Sequence, residues 1–133
     1  MLRIMIAALL VCFIAGCSRE APPADVDKAG ALFFERLKGA DYEAIYADAS
    51  SQFKEAKSKG EILDNLQQIT AIGRIQSYSR LSMFFEGDKS RIASPVYSVL
   101  FDQAAAEITL NFKDDGGEWK LVGFSLKRRG PPS

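Results

Sequence analysis

The sequence contains no histidine and only two cysteines among its 133 residues. Nucleophilic catalysis by a Ser-His-Asp or Cys-His arrangement needs an imidazole, which this chain cannot supply. A zinc site would have to be built from carboxylates alone, which is unusual, and no glycine-rich phosphate loop is present. The 17 basic and 17 acidic residues balance, so the chain lacks the field of a nucleic-acid-binding protein. We therefore predict no metal, no cofactor and no nucleic-acid partner.

An apolar run at the N-terminus has the three parts of an export signal. Arg3 supplies a short positive region, Ile4 to Ile14 is uncharged, and Ala15-Gly16 places small residues before a cleavage site. About eleven helical residues would extend roughly 17 Å, which is too short for a hydrocarbon core of about 30 Å. The segment Ile14-Ala15-Gly16-Cys17 resembles the lipobox of bacterial lipoproteins.

The lipobox resemblance implies that Cys17 is acylated and becomes the first residue of the mature chain. Two or more acyl chains hold a protein stably at a membrane. Ser18 follows the cysteine, and its presence favours the periplasmic face of the outer membrane in a Gram-negative host. In any other host the outer face of the cytoplasmic membrane is expected. The alternative is a plain secretory signal in which Cys17 occurs by chance.

Composition divides the chain into four parts. Residues 1–16 form the predicted signal peptide, and residues 17–24 form a lipidated tether whose prolines suit an extended spacer. Residues 25–129 are long enough for one domain with its own core. Residues 130–133 are a flexible tail. Because Cys12 is removed with the signal and Cys17 is acylated, the mature chain has no free thiol to form a disulfide.

Three helices are predicted first. Apolar residues at helical spacing indicate a helix over 25–38, ended by Gly39. Asp41 is a suitable N-cap for a second helix, whose apolar stripe continues to Phe53. Ser50-Ser51 weaken this helix, so the alternative is that it ends there. The sequence Ser58-Lys59-Gly60-Glu61 matches a capping box and predicts a third helix to about residue 71.

Four strands follow, over residues 74–86, 91–102, 107–113 and 119–127. Pro95 interrupts the second strand and predicts an edge or a bulge there. In the third strand Ile108, Leu110 and Phe112 alternate with polar residues, and Asp114-Asp115-Gly116-Gly117 predicts a hairpin turn. Three helices packed on one face of a curved four-stranded antiparallel sheet give an α+β fold.

The order of these elements resembles the nuclear transport factor 2-like superfamily, whose sheet curls into a cone around a helix. The resemblance rests on Gly39-Ala40-Asp41-Tyr42 between two helices, the Ser58 cap, and a last strand beginning Glu118-Trp119-Lys120-Leu121. Its nearest likeness is to small bacterial families of this fold, several of them lipoproteins. The superfamily includes isomerases, dehydratases, ligand-binding domains and assembly modules, so the fold does not choose a function. Relatives often form homodimers through the sheet, which makes a homodimer an expectation here.

Aromatic residues suggest a binding site. A cone mouth lined by Tyr46, Tyr97 and Trp119 would hold a small apolar ligand with one polar end. The alternative is that these side chains fill the core. A partner-binding domain would instead expose an apolar patch on the sheet or at Phe84-Phe85, facing another envelope protein.

An enzymatic alternative remains open: an acid–base isomerase or dehydratase acting on an apolar ligand in the cone, with a buried carboxylate and a tyrosine. Asp41 is better explained as an N-cap, and Asp48 is expected to face water. Asp102 and Glu107 are expected to be solvated. The basic run Lys127-Arg128-Arg129 is either a solvated strand end or a contact for anionic head groups. We predict a lipid-anchored envelope protein with a non-catalytic binding or interaction domain.

Overall fold

The computed structural model of the chain describes residues 23–86 and 91–130. The predicted signal peptide, the lipidation site at Cys17 and nearly all of the tether lie outside the described residues. Residues 87–90, between the first two predicted strands, and residues 131–133 of the predicted tail also lie outside the described residues.

The described chain has four helices followed by four strands. They are α1 (Pro23–Lys38), α2 (Tyr42–Asp48), α3 (Ser51–Ala56), α4 (Lys59–Thr70), β1 (Ile75–Glu86), β2 (Ile92–Phe101), β3 (Ala105–Asp115) and β4 (Glu118–Gly130). All strands are antiparallel neighbours in one sheet of order β1-β2-β3-β4. The α+β class and the four antiparallel strands are therefore confirmed. Among the described residues, no helix is both long and apolar enough to cross a membrane.

The prediction of three helices is wrong, because the second predicted helix is divided in two. Ala49 has an extended backbone (ψ 159°), and the Ser50 hydroxyl accepts a hydrogen bond from the Phe53 amide at 3.1 Å to begin α3. The Ser50 amide donates to the Leu121 carbonyl of β4 at 2.9 Å. A backbone bond to the sheet thus replaces a helical one, and the break falls at the serines that the sequence marks as a weak point of the second predicted helix.

Two predicted caps are confirmed, and one helix end differs. The Asp41 carboxylate accepts a hydrogen bond from the Ala44 amide, and the Ser58 hydroxyl accepts one from the Glu61 amide. α1 ends at Lys38, but the left-handed residue that closes it is Ala40 (φ 58°) rather than Gly39. The Asp41 amide then donates to the Arg36 carbonyl at 2.8 Å, as in a Schellman motif.

One face of the sheet carries the core. In β3, Ile108 and Leu110 are fully buried, whereas Thr109 between them is partly exposed, as the alternation predicts. The helices pack on the buried face: the Phe124 ring of β4 lies 6.0 Å from Phe33 of α1 and 6.1 Å from Phe53 of α3. Together these side chains join the helical layer and the sheet in one hydrophobic core.

The expectation of an edge or bulge at Pro95 is wrong for the edge, because β2 lies between β1 and β3. Pro95 is buried and pairs with Met83 of β1, whereas Ser94 and Pro95 have no pairing partner in β3. The register shift is in the neighbouring strand, where Arg80 pairs with Tyr97 and Ser82 with Val96, leaving Leu81 without a partner. Proline has no N–H to donate to a neighbouring strand. It is tolerated in this inner strand because β2 and β3 are not paired at Pro95.

Candidate functional site

A cleft of about 350 Å³ opens between α1, α2 and the beginning of β4. Its apolar wall includes Leu32 and Phe33 of α1, Ile45 of α2, Phe112 of β3 and Trp119 of β4. Leu32 is 47% exposed, although a large aliphatic side chain of an amphipathic helix is usually covered. The cleft therefore offers apolar surface to a small molecule.

Charged residues line the same cleft as two opposite pairs. The Arg36 guanidinium lies 2.6 Å from an Asp48 carboxylate oxygen and also donates to the Ala44 carbonyl at 3.3 Å. The Lys120 ammonium lies 3.7 Å from the Glu118 carboxylate. Because each cation has an anion beside it, the lining has almost no net charge. Small-molecule sites are generally lined by apolar groups with a few polar ones. The lining of this cleft therefore suits a mainly apolar molecule with one polar end.

The three aromatic residues predicted to form a pocket lie in different places. Trp119 lines the cleft. Tyr46 is partly exposed on α2, and the Lys54 and Lys59 ammonium groups lie 5.1 and 5.4 Å from the centre of its ring. Tyr97 is buried against α1. Among the described residues, Trp119 is therefore the one member of the trio that lines this cleft.

Tyr97 is part of the core, with 3% of its surface exposed. Its ring packs against Phe34 at 4.9 Å and Tyr78 at 6.3 Å, and its hydroxyl finds no hydrogen-bond partner among the described residues. Burial, and then the negative charge of Asp27, raise the pKa of Tyr97 to about 12. The phenol is therefore neutral at physiological pH.

The α1 backbone approaches Tyr97 closely at Gly30. A Cβ atom on residue 30 would lie 2.0 Å from the Tyr97 hydroxyl oxygen and 2.8 Å from Cζ. Only glycine leaves room for the phenol beneath the helix at this point. Glycine costs helix stability, so its presence in α1 indicates that the position serves packing.

The carboxylates considered for acid–base chemistry have other roles. Asp41 caps α2, and Asp48 pairs with Arg36. Asp102 accepts a hydrogen bond from the Arg74 amide at 3.1 Å, and Glu107 forms an ion pair with Arg129. No aspartate or glutamate within residues 25–86 and 91–129 is fully buried.

Metal-ligating side chains are likewise dispersed. Across residues 23–86 and 91–130, no three His, Cys, Asp or Glu side chains are grouped closely enough to hold a metal ion. The ionisable groups near the cleft are instead committed to the two ion pairs described above.

Two further cavities lie toward the other end of the sheet. One of about 340 Å³ is formed by the end of α4 and the end of β4, including Ile72, Leu126 and Arg128. Another of about 460 Å³ includes Leu37 and Ile75. Both lack the combination of an indole and an exposed leucine found in the first cleft.

Sequence reasoning overlooked Leu32 and Arg36 as site residues. The two lie one helical turn apart on α1, so the periodicity already placed them side by side. The sequence did not show that β4 lies beside this face of α1. Trp119 follows three intervening strands, and only their pairing brings it next to Leu32 and Arg36. No protein-family model matches this sequence, and no curated protein matches it significantly.

Proposed function

We propose that this chain is an exported, lipid-anchored envelope protein whose domain binds a small molecule with an apolar body and one polar end. The observation that carries the binding role is the cleft that exposed Leu32 and Trp119 line together with two ion pairs of no net charge. The lipobox segment ending in Cys17 supports the anchor. In a Gram-negative host, Ser18 favours the periplasmic face of the outer membrane as its location.

Binding without catalysis agrees best with the placement of the acidic residues. A carboxylate that moves protons in an apolar cavity needs burial to raise its pKa, together with a partner within hydrogen-bond reach of substrate. The acidic residues of the cleft, Asp48 and Glu118, are exposed and paired with cations instead. The arrangement thus supports recognition of a ligand more directly than acid–base chemistry.

The same proposal includes the cone-like fold of the nuclear transport factor 2-like superfamily. Helices that precede a four-stranded antiparallel meander, with one face of the sheet covered, support this assignment. The other face carries Ser79, Ser98 and Ser125, all exposed, and Leu100, which is 39% exposed. This uncovered face supports a homodimer through the sheet.

The anchor is tested by exchanging each cysteine for serine and labelling cells with palmitate. Cys17→Ser should abolish incorporation of the label and leave the chain at its precursor mass, because no thiol accepts the lipid. Cys12→Ser is the matched control and should be labelled and cleaved normally. A Cys17→Ser chain that still reaches the processed mass and retains the label would refute the anchor.

The ligand site is tested on residues 17–133 carrying Cys17→Ser, produced without the signal so that no lipid is attached. Trp119 is the only tryptophan, so its emission reports on the cleft directly. Decanol and decanoate should change this emission at saturable concentrations. Leu32→Arg should weaken binding about tenfold or more by placing a charge in the apolar wall.

Leu81→Arg provides the control, because Leu81 is similarly exposed but lies outside the cleft. Equal affinity of both variants, or emission that neither ligand changes, would refute the site. Native mass spectrometry of the same preparation identifies any small molecule that copurifies with the domain. The same spectrum gives the number of protein chains in the assembly, which the uncovered sheet face predicts to be two.

A further inference from the structure

The end of β1 exposes three large apolar side chains. Leu81, Phe84 and Phe85 are 55%, 58% and 41% exposed, and we call them the β1 patch. Phe84 and Phe85 are consecutive strand residues, so their side chains leave opposite faces of the sheet. Because both are exposed, neither face is covered at this end of β1. Large apolar groups exposed together at one end of a strand commonly mark a contact with another surface.

The β1 patch lies at the end of the sheet toward which the N-terminus of α1 points. Glu35, near the end of α1, accepts a hydrogen bond from the Tyr78 hydroxyl, whereas Asp27, near its beginning, binds Arg80 at 2.7 Å. Moving from Tyr78 to Arg80 along β1 therefore corresponds to moving backward along α1. The same direction continued along β1 leads to Phe84 and Phe85.

Chain length limits how far the anchor can be from this end. About six residues separate Cys17 from the start of α1, and at up to ~3.5 Å each they span at most roughly 20 Å. The five residue steps from Arg80 to Phe85 extend about 17 Å in a strand. A bilayer that holds Cys17 therefore lies within reach of both the first turn of α1 and the β1 patch.

The basic run lies elsewhere. Lys127 and Arg128 pair with Glu107 and Ala106 of β3, which pair on their other side with residues near the end of β2. Because β2 and β1 are antiparallel, this corner adjoins the beginning of β1, at the other end of the sheet from the β1 patch. The basic run therefore lies away from the β1 patch, and the patch is the apolar surface at the end of the sheet toward which α1 begins.

We propose that the β1 patch inserts into the interfacial region of the same bilayer that holds the Cys17 lipid. The inference rests on the proposed lipidation, which would hold a membrane within reach of the patch. Two contacts, the lipid and the patch, would fix the orientation of the domain and hold the Trp119 cleft at a constant height above the lipid surface. Amphipathic surfaces bind in this way by burying aromatic and aliphatic groups near the head groups.

The test uses the mature, palmitate-labelled chain in vesicles of phosphatidylethanolamine and phosphatidylglycerol. A single reactive thiol is introduced by Phe84→Cys and labelled with an environment-sensitive nitrobenzoxadiazole dye. On vesicles its emission should shift to shorter wavelength and be quenched by spin-labelled lipids. Lys127→Cys, which is exposed at the other end of the sheet, is the control and should show neither effect.

Each outcome separates the patch from the anchor. Loss of palmitate labelling identifies failure of the lipidation proposal, whatever the dye reports. A palmitate-labelled chain whose dye at residue 84 stays solvent-like on vesicles overturns the patch proposal alone. Shielding that appears without vesicles and grows with protein concentration also overturns it, since the patch would then contact a second copy.

A second variant keeps the test independent of the lipid. Phe84→Ser combined with Phe85→Ser in the lipid-free mature chain should reduce its partitioning onto the same vesicles by about tenfold or more. Both side chains are exposed, so the melting temperature should change little. Unchanged partitioning with unchanged melting would contradict the proposal.

Discussion

The two faces of the sheet differ although the same strands form both. On the helix-covered face, β3 contributes Ile108 and Leu110, which are fully buried. On the other face the same strand contributes Thr109, and its neighbour β2 contributes Ser98, which is exposed. The covered face holds the fold together, whereas the uncovered face and the β1 patch are free to contact other surfaces. Stability and interaction are therefore separated by strand periodicity.

The largest effect is expected from a substitution on the covered face, compared with one at the next residue, on the uncovered face. Ile108→Ala should lower the free energy of unfolding by about 3 kcal/mol, because it leaves a cavity in a tightly packed core. Thr109→Ala, one residue later, should change it by no more than ~0.5 kcal/mol. Denaturant unfolding of the two variants measures the difference. Equal losses would show that the faces are not energetically distinct.

Gly30→Ala should have the next largest effect, lowering the free energy of unfolding by about 2 kcal/mol. The added methyl group would lie 2.0 Å from the Tyr97 hydroxyl, so the helix or the ring must move. Tyr97→Phe should recover part of the loss, since it removes the closest atom while Cζ remains. A double variant no more stable than Gly30→Ala alone would argue against this contact.

Tyr97→Phe alone should have the smallest effect at neutral pH, raising the free energy of unfolding by about 1 kcal/mol, because it removes a buried hydroxyl without a partner among the described residues. Tyr42→Phe is the opposite control. Its hydroxyl lies 2.7 Å from that of Thr70, so its removal should cost about 1 kcal/mol. Thermal unfolding compares the two.

Alkaline pH gives Tyr97 a second signature. The folded pKa is about 12, while an unfolded tyrosine titrates near pH ~10. Below pH ~10 both states keep the proton, and between ~10 and ~12 the unfolded state loses it first. Stability should therefore fall as pH rises through this window, and the fall should be smaller in Tyr97→Phe. Urea unfolding at several alkaline pH values measures both falls. An equal loss of stability in Tyr97→Phe and in the unchanged protein would show that Tyr97 is not the group responsible.

Local patterns explain which parts of the fold were predictable. Asp41 and Ser58 were identified as caps because capping depends on residues three positions apart. The alternation around Ile108 was readable because strand periodicity is local. Ser50-Ser51 marked a weak point of the second helix, but the third short helix that follows was not predicted. The Ser50 amide that leaves the helix binds the Leu121 carbonyl, which is far away in sequence.

The binding residues divide in the same way. Trp119 was singled out for its amphipathic ring and does line the cleft. Tyr97 also has an aromatic ring with one polar group, yet it is buried beneath Gly30 in the core. Residue type cannot distinguish these cases, because whether an aromatic ring faces a cleft or a core depends on which helix lies over it.

By itself the sequence determined the α+β class, the caps, the face of β3 that is buried, and the expectation of a lipid anchor at Cys17. Each depends on residues within a few positions of one another, where geometry follows from the backbone period. The tertiary structure alone decided that Leu32 and Trp119 share a cleft and that the β1 patch lies toward the start of α1. Such contacts join distant segments, and the packing of helices on the sheet selects them.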